Sequence, residues 1–205
     1  RRLFLEQLCK AYDAGQLQFF AEHQELADAQ AFAEGFDGIG RFSSPSLGNV
    51  IPQDVVRGEM NGVKVILFRH SIRYSEGWAR EWFVAGVTCA EAIAKRCAIQ
   101  LLGGKPGQSS MYLQDPVVKE QRAGAFNLAV RAASQAHAGK IIDANVLNRI
   151  SGLSGELPLR PEIQVRGNRV AAYPADRNAT IDDVETLERL LVFTQSVSKI
   201  AAITP

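Results

Sequence analysis

The plainest pattern in the chain is a pair of apolar runs, Asp54 to Met60 and Val63 to His70, separated by Asn61-Gly62. Asn-Gly between such runs signals a two-residue hairpin, because a type I′ turn needs positive φ at both central positions. The loop length then fixes the register: Met60 faces Val63, Glu59 faces Lys64, Gly58 faces Val65, Arg57 faces Ile66 and Val56 faces Leu67. Opposite charges meet across the strands at Glu59 and Lys64. Val56, Met60, Val63, Val65 and Leu67 share one face, which should be the buried one. Beyond Phe68 the apolar positions change phase to His70, Ile72 and Tyr74, and a bulge near Phe68 or Arg69 would account for the switch.

Upstream, Leu5, Leu8, Cys9 and Tyr12 fall at helical spacing, and the pattern resumes after Gly15 through Phe19, Phe20, His23, Leu26 and Ala27. Residues 3–36 therefore read as helix in two segments. Residues 34–52, punctuated by glycine, proline and serine, read as a long loop whose Phe36, Ile39, Phe42, Leu47 and Val50 lie packed across the core edge. Trp78 to Cys89 reads as a third strand, Ala90 to Lys95 as a short helix and Cys97 to Leu102 as a fourth strand. Asp115 to Gln121 suggests a helical turn, Ala125 to Ala132 a strand, and Asp143 to Ser151 a helix with Val146, Leu147 and Ile150 inward. Gly167-Asn168 makes a second tight hairpin between Ile163–Arg166 and Arg169–Tyr173. The last helix is the best defined: Thr180 as N-cap, Asp182 and Asp183 in the first turn, and a stripe through Ile181, Val184, Leu187, Leu190, Leu191, Val197 and Ile200. Helices at the ends and strands between them argue an α+β fold, an antiparallel β-meander sheet flanked by an N-terminal helix and a long C-terminal helix. On this reading 1–35 is an N-terminal helical segment and 36–205 the α+β domain.

Charge removes one class of partner. The 205 residues hold 23 basic and 22 acidic side chains, a formal net charge of +1, so no overall field draws nucleic acid. Three cysteines, Cys9, Cys89 and Cys97, have no metal-ligand spacing and read as free thiols of a reducing compartment. No apolar run is long enough to cross a bilayer as a helix. The chain opens on Arg1-Arg2, which fits either a fragment with a membrane helix upstream, its basic flank marking the cytoplasmic side, or a processed end with no such helix.

Candidate chemistry is sparse. Gly103-Gly-Lys-Pro-Gly-Gln-Ser-Ser110 has the composition of a phosphate loop without its order, since proline follows the lysine. Arg69, His70, Arg73 and Arg80 gather about the strands after the first hairpin, with Arg57 expected beside Arg69, and could clamp a phosphate or carboxylate. A solvated face with cross-strand ion pairs shows the same pattern and is the commoner arrangement. His23, His70 and His137 lack ligand spacing, so no metal site is expected, and no serine sits in a nucleophile elbow. No catalytic residue and no cofactor is indicated.

The run Val56 to Phe68 with Tyr74 six residues on, the strand ending Val87-Thr88, Asp115-Pro116 before Phe126, Leu147 to Leu153, the Gly167-Asn168 turn and the closing acidic-to-apolar helix together resemble an uncharacterised bacterial family. Its members are often found behind one or two membrane helices. The resemblance spans about residues 36–203 and implies a cytoplasmic α+β module near a membrane, with no activity and no catalytic residues to carry over. The expectation is a non-enzymatic module that binds a protein partner or itself, possible through Phe19, Phe20 and Leu26 if their helix does not fold back on the sheet. The alternative is a domain or enzyme that holds an anionic small molecule with Arg69, Arg73 and Arg80.

Overall fold

The computed structural model describes residues 2–12, 16–20, 26–36, 43–44, 48–73, 79–102, 115–123, 126–175, 181 and 183–203. Its elements run in the order α1 (Arg2–Ala11), β1 (Leu17–Phe20), α2 (Leu26–Ala33), β2 (Ser43–Ser44), β3 (Gly48–Met60), β4 (Val63–Arg73), β5 (Ala79–Thr88), β6 (Ala94–Leu102), β7 (Val117–Ala123) and β8 (Phe126–Arg131). There follow α3 (Gln135–Ala138), a 3₁₀ turn (Gly139–Ile142), α4 (Ala144–Ser154), β9 (Pro161–Gly167), β10 (Arg169–Pro174) and α5 (Val184–Ile203). All strands join one sheet in the order β1-β3-β4-β5-β10-β9-β6-β8-β7, with β2 against β3, and every pairing is antiparallel. The fold is α+β, with helices at both ends of the chain, as the pattern predicts.

The first hairpin has the register read from its turn, from Met60 opposite Val63 to Val56 opposite Leu67. Asn61 and Gly62 take φ of 51° and 75°, the two left-handed positions that a type I′ turn demands. The meander holds through β3, β4 and β5. The β10–β9 hairpin then inserts between β5 and β6, so β5 and β6, consecutive in the chain, are separated in the sheet.

Both faces of the sheet are covered, which explains the change of phase along β4. Val65 and Leu67 point into the larger core, beneath α1, α4 and α5, with Leu5, Leu8, Ile150, Leu187, Leu191 and Val197. Ile66 and Phe68 point the other way, into a smaller core that α2 covers with Ala29, Phe32 and Ala33, joined by Phe36. Apolar residues at both parities are what a doubly covered strand requires. The bulge lies in the partner strand, where the register slips between Gln53 and Val55 opposite Arg69 and Phe68, and Asp54 takes a φ of 47°.

Four local expectations change. The second helical segment expected after Gly15 does not begin as helix: Leu17–Phe20 forms β1, paired with Val55 to Gly58, and α2 starts only at Leu26. Phe19 packs on the larger core and Phe20 on the smaller, so an alternation between two buried faces had mimicked helical spacing. Within the expected loop 34–52, Gly48 to Pro52 belongs to β3, Phe36 is buried, and Ile39, Phe42 and Leu47 lie outside the described residues. Ala90 to Ile93 is a tight connection rather than a helix, tied by Cys89 N–H to the Asn168 carbonyl at 2.8 Å and Ile93 N–H to the Gly167 carbonyl at 2.9 Å, and Ala94 and Lys95 already belong to β6. The stretch expected as a helical turn after Asp115 is the edge strand β7. Helix α4 follows the pattern, capped by Asp143 with Val146, Leu147 and Ile150 buried. The start of α5 is capped by Asp183, whose carboxylate accepts from Thr186 N–H at 2.6 Å and Thr186 Oγ1–H at 2.8 Å; Thr180 lies outside the described residues. Those hydrogen bonds hold the Asp183 carboxyl below its usual range.

Candidate functional site

The sequence placed an anion clamp at Arg69, His70, Arg73 and Arg80, and the structure does not assemble it from the described residues. Arg69 and His70 are consecutive in β4 and so point to opposite faces of the sheet. Arg69 turns inward to a pair of acids: Nη2 lies 2.6 Å from Asp54 Oδ2 and Nη1 2.8 Å from Glu81 Oε1. Asp54 comes from the bulge of β3 and Glu81 from β5, so the guanidinium ties three adjacent strands together. The side chains of Asp54 and Arg69 are 1% and 15% exposed, which makes this an interior ion pair rather than a solvated one. His70, fully buried, packs against Trp82 with ring centroids 4.5 Å apart and the planes tilted by 34°. The main chain pairs Arg73 with Ala79 and Arg80 with Ile72; the side chains of both arginines lie outside the described residues. Arg57 is not beside Arg69, whose partner on β3 is Gln53. Arg57 instead pairs with Asp28 of α2 and lies over the Phe20 ring at 4.8 Å. The expected partner residues Phe19 and Phe20 are half-buried strand positions on opposite faces, and Leu26 opens α2, its side chain outside the described residues.

What the structure does bring together is a cross-strand row of four cations interrupted by Thr88. Lys64, Thr88, Arg169, Arg166 and Arg96 occupy successive register positions on β4, β5, β10, β9 and β6. Like charges directly opposite destabilise a sheet, and two of these arginines are relieved by the carbonyl end of α2. Arg169 donates to the carbonyls of Ala31, Phe32 and Glu34 at 2.6, 2.5 and 3.0 Å, and Arg166 to that of Gly35 at 2.5 Å. These are the orphan acceptors of the helix C-terminus, at the negative end of its dipole. Burial and then the neighbouring Arg166 charge lower the Arg169 pKa, with Glu34 acting in the opposite sense. Arg96 pairs with Asp115 at 3.4 Å. The signal for this latch was present in the sequence, as Arg-Gly-Asn-Arg about a two-residue turn puts both guanidiniums on one face.

Beside the latch lies an open cleft of about 690 Å³, walled by Asp28 and Phe32 of α2 and by Arg57, Lys64, Thr88 and Arg169 of the sheet. Its charges are already matched: Arg57 with Asp28, Lys64 opposite Glu59, and Arg169 with the helix carbonyls. Further along the same face a polar band is buried. Gln164 donates to Tyr173 Oη at 2.5 Å, Tyr173 donates to Glu162, and Arg131 Nε donates to Gln100 at 2.6 Å. Glu162, Gln164 and Gln100 are each 5% exposed or less, although their alternation with Ile163, Val165 and Ile99 reads as a solvent face.

The cysteines are free thiols. Burial pushes Cys9 up to about 11 and Cys97 up to about 12. Among the described residues no group of three or more His, Cys, Asp or Glu is placed to hold a metal. The loop 103–110 and His23 lie outside the described residues, and His137 sits in α3 with its Nδ1 2.8 Å from Ser134 Oγ. No helix among the described residues is long and apolar enough to cross a membrane.

These features define an α+β scaffold with one broad antiparallel sheet, helices on both faces, and ionic groups turned to internal use. The fold is similar to that in the crystal structure of the mycobacterial trehalose monomycolate transport factor A, TtfA, with a TM-score of 0.58 and 11% identity over 100% of this chain and 98% of that one. No family model matches the chain, and no curated protein does.

Proposed function

We propose that the chain is a non-catalytic interaction module that holds a protein partner at the cytoplasmic face of a membrane, tethered there through sequence upstream of Arg1. The observation that carries this reading is the end-to-end structural likeness to a protein named as a trehalose monomycolate transport factor. The bacterial family resembled over residues 36–203 supports the membrane setting. The internal commitments of Arg69, Arg166 and Arg169 argue in the same direction, since guanidiniums bonded to carboxylates and helix carbonyls have few donors left for a small anion.

The test is in-cell cross-linking of the tagged full-length protein in its own host, followed by purification from solubilised membranes, alongside a melting screen of the chain against phosphorylated metabolites, nucleotides, lipid headgroups and divalent metals. The expected result is a stoichiometric protein partner and an unmoved melting temperature. A ligand at a hundred times its dissociation constant adds about 2.7 kcal/mol of stability. Recovery of the protein alone, with such a shift for one of the metabolites, would replace this reading by small-ligand binding.

A further inference from the structure

A second concavity, on the sheet's other side from the cleft, lies between the C-terminal end of α4 and the first half of α5. It encloses about 550 Å³. Its floor is apolar: Phe193 is buried, Leu157 half-buried, and Val192 is 44% exposed on the outer stripe of α5. Its rim is acidic, with Glu156, Glu185 and Glu188 against one cation among the described residues, Arg189, which already pairs with Glu185 one turn away. The Tyr12 hydroxyl donates to Glu188 Oε1 at 2.6 Å, so the end of α1 fixes that carboxylate in place at the rim.

We propose that this groove docks an apolar segment carrying lysine or arginine from a partner protein; the inference rests on the interaction-module reading and supplies its site. The charge decides the class of occupant. An acidic rim repels anionic headgroups and nucleic acid, while a cation beside an apolar anchor meets both requirements at once, and rim and occupant lie within one Debye length, about 8 Å at physiological salt. The volume suits the few anchor side chains by which an amphipathic helix seats itself in a groove. Such a small contact area gives weak, readily reversed binding.

The probe is a fluorescein-labelled peptide of two Lys-Leu-Ala-Lys-Leu-Ala-Lys repeats, with a counterpart in which glutamate replaces every lysine. Anisotropy titration should show the basic peptide bound by the wild-type chain and the acidic one not. Val192→Asp, an exposed change that leaves the fold intact, should weaken binding roughly tenfold or more, Glu156→Lys should weaken it too, and raising salt to about 1 M should abolish it as the Debye length falls to about 3 Å. No binding to the wild type, equal binding to Val192→Asp, or equal binding of the acidic peptide overturns the proposal. In the cross-linking experiment, a partner that Val192→Asp retains overturns the groove while the interaction reading stands; loss of all partners from both forms overturns that reading. Sedimentation showing Val192-dependent self-association would replace the partner by a second copy.

Discussion

Replacing Arg69 by methionine separates a structural arginine from a ligand-binding one. Its guanidinium is the partner of Asp54, whose carboxylate is 1% exposed and whose Oδ1 has no hydrogen-bond partner among the described residues. Methionine keeps much of the side-chain volume and removes the charge, so the buried Asp54 carboxyl loses the guanidinium that holds it. Breaking an interior pair by deleting one member costs about 3–5 kcal/mol. At about 2–4 °C per kcal/mol for a chain of this size, melting should fall by roughly 6–20 °C. Asp54→Asn should cost less, because Arg69 retains Glu81, which is 26% exposed. The combined Arg69→Met/Asp54→Asn variant should recover part of the loss, with a coupling energy of about 0.5–3 kcal/mol. Urea unfolding at neutral pH, with the m-value held in common, measures all four corners of the cycle. An Arg69→Met variant within about 0.5 kcal/mol of wild type, the range of an ordinary surface change, would refute the reasoning and return Arg69 to the list of ligand-binding residues.

Three further outcomes test the packing. Gly35→Ala should cost about 1–3 kcal/mol, because φ is +78° and a Cβ would fall 1.7 Å from Arg166 Nη1; hydrogen exchange should report α2 amides deprotected ahead of the sheet. Gly86→Ala should cost about 1–3 kcal/mol, since the new methyl would meet Phe32 Cζ at 2.3 Å and Ile66 Cγ2 at 2.7 Å, and Phe32→Leu should restore part of it; additive losses in urea would show that the ring is not the obstacle. Cys97 is neutral in the folded chain up to about 12 but titrates from 9.0 when exposed, so the unfolded state holds fewer protons between those values and stability falls as pH rises. The Cys97 share of the slope should reach about 1.4 kcal/mol per pH unit and be lost in Cys97→Ala while the share of Cys9 remains, and an unchanged slope in that variant would place the alkaline loss elsewhere.

Residues whose constraint is local were legible in the sequence. Asn61-Gly62 fixed a register that extends five pairs from the turn, and Asp143 before an apolar period announced α4. Leu17–Phe20 was misread because helical spacing and strand alternation coincide over four residues when both faces are buried. Val117–Ala123 was misread because an edge strand with one open side keeps charged residues such as Lys119, Glu120 and Arg122, which carry no alternation of their own. The insertion of β10–β9 between β5 and β6 has no local cause at all. It follows from burying Tyr173 and Ala171 beneath α2 beside Phe68 and Trp82, a requirement shared by segments about a hundred residues apart. For Arg69 the obstacle is related: nearness along the chain says nothing about Asp54 waiting across the bulge, whereas Arg166 and Arg169 were brought together by a turn that could be read.

A net charge of +1 conceals how the charges are spent. Arg69, Arg131, Arg166 and Arg169, all half-buried, face carboxylate, amide or helix carbonyls inside the fold. Their positive charge is thereby withdrawn from solvent, as is the charge of the buried Asp54 and Glu162, so the overall balance does not set the sign of any one surface. Glu156 and Glu185 are exposed and Glu188 half-buried about the apolar floor of the α4–α5 groove, with one arginine among them. A fold that spends its arginines on holding α2 and the β3 bulge can offer a partner an acidic, partly apolar surface while its composition reads as neutral, and a basic segment is the occupant that such a surface selects.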